Sequence, residues 1–171
     1  MTSEAVTAVP GYWSDQGARV TGTDVLDALR AFRAAEAEAR LRARTSLGVG
    51  ESALMALRLI GDGERTGHRV APKELAEHLG ITAASTSTLV DRLVRAGHVV
   101  RHPDPHDRRG VTLTTRGIAV RRALRAMRDL ETRTLRAAAA MPPESLEVVV
   151  AFLQTMTRVV EDAGDAVAPQ A

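Results

Sequence analysis

The residues with chemistry to offer in this chain are few and mostly basic. His98, His102 and His106 stand four apart. On a helix that spacing would line imidazoles along one face and suggest a metal site. The segment around them reads V-V-R-H-P-D-P-H-D-R-R-G, β-formers followed by a proline-rich turn, so the spacing loses that meaning. His98 reads as the start of a strand, and His102 and His106 as polar loop residues. The carboxylates are scattered, mostly beside arginines. The chain has no G-x-S-x-G elbow, no phosphate-binding loop and no H-E-x-x-H. No enzyme, metal site or cofactor is expected. Without cysteine there is no disulfide, no Cys-ligated zinc and no thiol sensing. What remains is arginine: all but one of the 23 basic residues are Arg, Lys73 being the exception. Arg108 and Arg109 are adjacent, follow Asp107 directly, and lie between Pro105 and Gly110.

The elements around that loop give the arginines a setting. His98-Val99-Val100-Arg101 and Val111-Thr112-Leu113 read as short strands on either side of it. Upstream, Pro72 suits the first position of a helix and Gly80 the residue just past its end, with Leu75, Ala76 and Leu79 as its apolar stripe. Thr82 caps a second helix from Ala83 to about Ala96, ended by Gly97. Two short helices joined by a tight turn are a helix-turn-helix pattern. At about 100° per residue, Thr86, Leu89, Val90 and Leu93 fall on one side of the second helix. Ala84, Ser87, Thr88, Asp91 and Arg95 fall on the other, with Arg92 beside them. Small residues and hydroxyls in the first turns suit a helix that enters a DNA major groove, where bulk would block close approach to base edges. The hairpin beside it presents arginine as a wing does, and arginine in a narrow minor groove reads DNA shape. Ser85, Ser87, Thr88, Arg92, Arg95, Arg108 and Arg109 are therefore the candidate DNA-binding residues.

The run K-E-L-A-E-H-L-G-I-T-A-A-S-T-S-T-L-V-D-R-L-V-R-A-G-H-V-V-R, followed by D-P-H-D-R-R-G-V-T-L-T-T-R-G, resembles the MarR family of winged helix-turn-helix regulators. The resemblance is close over residues 72–117 and extends to the flanking helices by pattern only. It implies a homodimeric transcriptional regulator that binds palindromic operators, leans to repression, and is often released by a small molecule or chemical signal. It further implies that Arg109 enters the minor groove and that Asp107 braces the wing.

The rest of the chain fits that expectation. Residues 1–20 read as a flexible arm whose adjacent Tyr12 and Trp13 either anchor on a partner surface or pack locally. Thr23 is expected to cap a long helix, Asp24 to Ser46, with Val25, Leu26, Leu29, Phe32, Ala35 and Ala39 on one side. Glu51 to Ile60 reads as a second helix, Gly61 to Gly67 as a loop, and Val70 as a minimal third strand. After the wing, Thr114 or Thr115 is expected to begin a helix running to about Ala140. Val120, Met127, Thr134 and Met141 recur every seven residues, with Ala123, Leu130 and Ala137 between them, close to an a/d seam. Such a helix is about 40 Å long, more than one small winged-helix domain can cover. A last helix from Glu144 carries Leu146, Val149, Val150, Leu153, Met156 and Val160 on one face. The terminal helices thus call for a second copy, most simply by twofold symmetry.

The expected fold class is all-α with a small β-hairpin wing. Residues 51–115 form the winged helix-turn-helix domain, 21–50 and 116–165 a helical dimerisation region, and 166–171 a tail. By resemblance, an effector site for an organic acid or aromatic compound is expected where the wing domain joins the dimer core, with Phe32, Arg40, Arg44 and Arg116 as its candidates. A net charge of +2 is too small for a polycation, so any nucleic-acid footprint must be local. No apolar run approaches a membrane span and no signal segment opens the chain, which reads as cytoplasmic. The competing reading is a winged helix used for protein contacts without reading DNA.

Overall fold

The computed structural model describes residues 20–105, 107 and 110–165. Tyr12 and Trp13, the loop residues His106, Arg108 and Arg109, and the tail 166–171 lie outside the described residues. The elements are α1 (Gly22–Leu47), α2 (Glu51–Thr66), α3 (Pro72–Leu79), α4 (Ala83–Arg95), β1 (Val99–Pro103), β2 (Val111–Thr115), α5 (Ile118–Ala139) and α6 (Pro143–Asp165). The described fold is thus helical with one antiparallel hairpin.

The chain divides into two units between Ala39 and Arg40, inside α1. In the first unit α1 starts two residues earlier than Thr23 would place it. Thr21 is the cap: its N–H and hydroxyl donate to the Asp24 carboxylate at 2.8 and 2.6 Å, and its hydroxyl oxygen accepts from the Asp24 N–H at 3.3 Å. This reciprocal capping box satisfies two otherwise orphaned donors. The Thr21 hydroxyl, then the Thr21 N–H, hold the Asp24 carboxyl below its ordinary value. Val25 and Phe32, expected on the apolar side of α1, are exposed.

The second unit holds the core. Leu54, Ala56, Leu57 and Ile60 of α2, Leu75 of α3, Thr86, Val90 and Leu93 of α4, Val99 and Leu113 of the hairpin, and Val120 of α5 are all buried. Leu47 at the end of α1 joins the same cluster. Helices α3 and α4 meet at a tight corner: the Gly80 backbone, left-handed at φ +62°, ends α3, and the Thr82 hydroxyl accepts from the Ser85 N–H to start α4. β1 and β2 pair Val99 with Thr115, Arg101 with Leu113 and Pro103 with Val111. Val70 bridges Leu113 as the expected minimal third strand, its carbonyl accepting the Leu113 N–H at 2.9 Å.

Two segments depart from the sequence reading. Gly61-Asp62-Gly63-Glu64-Arg65-Thr66 is the last part of α2, not a loop. The glycines there admit close neighbours rather than bend the chain. A Cβ on Gly61 would lie 2.6 Å from Leu124 Cδ1, and one on Gly63 would lie 2.8 Å from the His68 carbonyl oxygen. Packing offsets the helix-propensity cost of glycine, about 1 kcal/mol each. The second departure is at α5. Thr114 and Thr115 extend β2, and the helix begins at Ile118. Glu64 fixes the strand end, accepting from the Thr115 N–H at 2.7 Å and its hydroxyl at 2.6 Å. Gly117, at φ +96°, then turns the chain into the helix. With 22 residues, α5 is about 33 Å long, and Met141 lies beyond its end.

The heptad seam is accordingly split. Val120 and Ala123 are buried in the winged-helix core and Met127 packs against it, whereas Leu130 is 43% exposed and Thr134 and Ala137 are exposed. No residue of α6 with a described side chain is buried. Leu146, Phe152 and Met156 are half-buried, and Val148, Val149, Val150, Leu153, Val159 and Val160 are exposed.

Candidate nucleic-acid interface

Helix α4 sorts its side chains as its periodicity requires. Thr86, Leu89, Val90 and Leu93 are buried, which fixes the helix rotationally on the core. That leaves Ala84, Ser85, Ser87, Thr88, Asp91, Arg92 and Arg95 on the open side. Buried Thr86 turns its hydroxyl onto the Thr82 carbonyl at 3.0 Å, so its own polar group is not stranded beneath the helix. On the open face the Thr88 hydroxyl donates to the Ala84 carbonyl at 3.1 Å, and the Ser85 hydroxyl oxygen accepts from Thr82 at 3.0 Å. Both hydroxyls keep acceptor capacity toward the outside. Arg95 folds back, its Nε donating to the Asp91 carbonyl at 3.3 Å. The structure therefore gathers Ser85, Ser87, Thr88, Arg92 and Arg95 on one accessible surface. Arg108 and Arg109 are outside the described residues, and the wing is described only through Asp104, Pro105, Asp107 and Gly110.

The loop base is closed by backbone hydrogen bonds. Asp104 N–H donates to the Gly110 carbonyl at 3.0 Å, and Gly110 N–H to the Asp107 carbonyl at 2.9 Å. Gly110 is required there, since a Cβ would lie 2.8 Å from the Asp104 Cβ and 3.2 Å from the Asp107 carbonyl oxygen. Asp107 is thus at the closing turn of the loop.

Polar ties that sequence patterns did not single out attach the hairpin to its surroundings. The Arg101 guanidinium of β1 pairs with the Asp91 carboxylate of α4 at 2.7 Å. His102 Nε2 lies 2.8 Å from the Thr114 hydroxyl across the hairpin. His98 Nε2 lies 2.9 Å from the Leu47 carbonyl oxygen. A carbonyl only accepts, so this nitrogen carries the proton. The backbone of His98 accepts the Arg116 N–H at 2.7 Å. His98 is therefore a joint between the end of α1 and the exit from β2, neither a ligand nor merely the start of a strand. Long-range partners of this kind leave no signature in local spacing.

Of the expected effector residues, Arg44 pairs with Glu51 across the α1–α2 corner at 3.0 Å, Arg116 is exposed, and Phe32 is 51% exposed on α1. A cleft of about 290 Å³ occurs elsewhere, between α2 and α5, lined by Gly61, Glu64, Thr115, Arg121, Leu124, Arg125 and Arg128. It contains none of the expected residues. No group of three or more metal-ligating side chains occurs among the described residues. Nor is any described helix long and apolar enough to cross a membrane.

This helix-turn-helix with its hairpin has known counterparts. Residues 47–110 match the model of the MarR family. Over that segment the chain is similar to members of that family. An uncharacterised HTH-type transcriptional regulator of Bacillus subtilis, YcgE, is 30% identical over 89 residues, which cover 52% of this chain and 58% of that one. The fold is also that of solved MarR-type winged-helix proteins. Streptococcus pneumoniae FabT, solved in complex with DNA, superposes with a TM-score of 0.55 at 18% identity, covering 82% of this chain and 98% of FabT. S. aureus MepR, also in a DNA complex, gives 0.56 at 14% identity over 77% and 96% of the two chains. The MarR-family match runs from the end of α1 through the wing, the same stretch that supplies most of the buried core.

Proposed function

We propose that the protein is a non-enzymatic, MarR-like transcriptional regulator that binds palindromic DNA as a homodimer and acts as a repressor. The observation that carries this reading is the open face of α4. Ser85, Ser87, Thr88, Arg92 and Arg95 stand together on a helix locked by four buried residues, with an arginine-bearing hairpin beside it. Hydroxyls serve base edges and arginines serve phosphates or guanine. Arg108 and Arg109 extend the same footprint toward the minor groove, with Asp107 as brace. Apolar side chains left outside on α5 and α6 support dimerisation through residues 21–50 and 116–165. Twofold symmetry would set two α4 helices on half-sites about 34–36 Å apart, one DNA turn.

Release by a small organic acid or aromatic compound belongs to the same reading and rests on the family resemblance. Phe32, Arg40, Arg44 and Arg116 are its proposed ligands. A ligand acts only by preferring the conformation that does not bind DNA.

The test is in vitro selection of bound duplexes, then affinity measured across a salt series. An imperfect palindrome is expected, with log K falling linearly in log salt as counterions are released. A single asymmetric site would sink the symmetric dimer. Retention independent of salt would sink DNA reading altogether and favour a winged helix used for protein contacts.

A further inference from the structure

The Asp91–Arg101 ion pair has a consequence for specificity. Asp91 stands on the open face of α4, one turn beyond Ser87 and Thr88, where a bare carboxylate would meet DNA phosphates with like charge. It is not bare. Arg101 occupies the same face of β1 as buried Val99, two residues on, so its side chain points toward the helices and reaches Asp91 at 2.7 Å. Both partners remain open to solvent, with side chains 38% exposed for Arg101 and 49% for Asp91. The backbone of Asp91 also accepts from Arg95, so one residue of α4 holds two guanidinium groups.

Resting on the DNA-binding reading above, we propose that Asp91 and Arg101 form a specificity-determining pair. Asp91 keeps the Arg101 cation off the phosphates and fixes the wing base against α4, suppressing binding to arbitrary sequence. The two effects are separable by sign. Asp91→Asn, which preserves shape, frees Arg101 to add about one phosphate contact. The salt slope on scrambled DNA should steepen by about 0.9, and affinity for it should rise about fivefold at 0.15 M salt. Affinity for the selected operator should rise less, because the wing is no longer tied to α4, so the operator-to-scrambled ratio falls. Arg101→Gln leaves the carboxylate uncovered and should weaken binding to both DNAs. The Asp91→Asn/Arg101→Gln double variant restores the net charge and should return scrambled-DNA affinity to the wild-type value.

The experiment is fluorescence anisotropy of full-length wild type and the three variants, on selected operator and on a scrambled duplex of equal length, across a salt series. Thermal melts of each variant confirm folding, which the exposure of both side chains favours. Opposite shifts of the two single variants on scrambled DNA support the proposal. Equal losses in both single variants would show a purely structural brace and overturn it. So would a wild-type slope and ratio in Asp91→Asn. Wild-type protein that binds neither duplex would overturn the DNA-binding reading and this pair together.

Discussion

The segment from Leu47 to Leu124 and the helical arms that follow it obey opposite rules of burial. In the first, apolar periodicity and observed burial coincide: Leu54, Leu57, Ile60, Leu75, Val90, Leu93, Leu113 and Val120 are at 2% exposure or less. In the second, the periodicity is as regular and the burial is missing. Leu130, Val149, Leu153 and Val160 are between 39% and 58% exposed. An amphipathic helix carries a stripe because something covers it. The winged-helix segment finds that cover within its own sequence. Much of the apolar side of α5 and α6 is left open among the described residues, with Leu146, Phe152 and Met156 only half-buried. The contrast shows that the same apolar periodicity is covered in one region and left open in the other, and only the tertiary structure separates the two cases.

The contrast can be broken by substitution in either region. Leu57→Ala should cost about 2–5 kcal/mol of unfolding free energy, since the site is fully buried and leaves a cavity. Urea denaturation measures it, and a loss under 1 kcal/mol would show that the core is not where burial places it. Leu153→Asp on α6 should leave that unfolding transition nearly unchanged at a protein concentration where the molecule is monomeric. It should instead weaken self-association more than tenfold by sedimentation equilibrium, equivalent to about 1.4 kcal/mol or more. Unchanged association would remove α6 from the interface.

The two glycines of α2 sharpen the comparison inside the core. Gly63→Ala should destabilise by about 1–3 kcal/mol, because its Cβ would meet a backbone carbonyl that cannot move aside. Gly61→Ala should cost less, since the Leu124 methyl it meets is the end of a flexible side chain and the added helix propensity offsets part of the strain. Differential scanning calorimetry of the two variants should rank them in that order; the reverse ranking would refute the packing account of this helix end.

The smallest expected effect is a pH dependence at the N-terminus of α3. Partial burial raises the Glu74 carboxyl, but the Ala71 N–H and His68 outweigh it, and the net shift is downward. The Ala71 N–H donates to Glu74 Oε1 at 2.9 Å, and His68 Nε2 lies 2.6 Å from Oε2. A carboxyl lowered by folding contributes stability above its unfolded value of 4.5 and loses it as pH falls through the lower folded value. Glu74→Gln should therefore flatten the acid limb of the stability–pH curve below about pH 4.5. An acid limb identical to wild type would remove Glu74 as its cause.

Much of the candidate interface was legible because it is local. Pro72, Gly80, Thr82 and Gly97 punctuate two helices, and the alternation of hydroxyls with leucine and valine assigns the faces of α4 before any contact is known. The α2 glycines were misread for a physical reason. Gly-Asp-Gly is turn chemistry when only the chain's own neighbours are counted, yet Leu124, Val70 and the His68 carbonyl lie against it in the fold. Likewise Thr114 or Thr115 reads as the start of the long helix, whereas Glu64 takes the Thr115 N–H and hydroxyl for the strand end.

The sequence by itself determined the helix-turn-helix, the hairpin with its proline- and glycine-bounded loop, and which side of α4 stays open. These follow from backbone preferences and periodicity over a few residues. Only the tertiary structure decided that α2 runs on to Thr66, that His98 joins Leu47 to Arg116, and that Asp91 on α4 is covered by Arg101 of β1. The reason is distance along the chain. Helix signals are summed over neighbours, whereas a hydrogen bond from residue 98 to residue 47 depends on how separate elements stack. That stacking is set by burial of the shared core, which no single stretch of sequence contains.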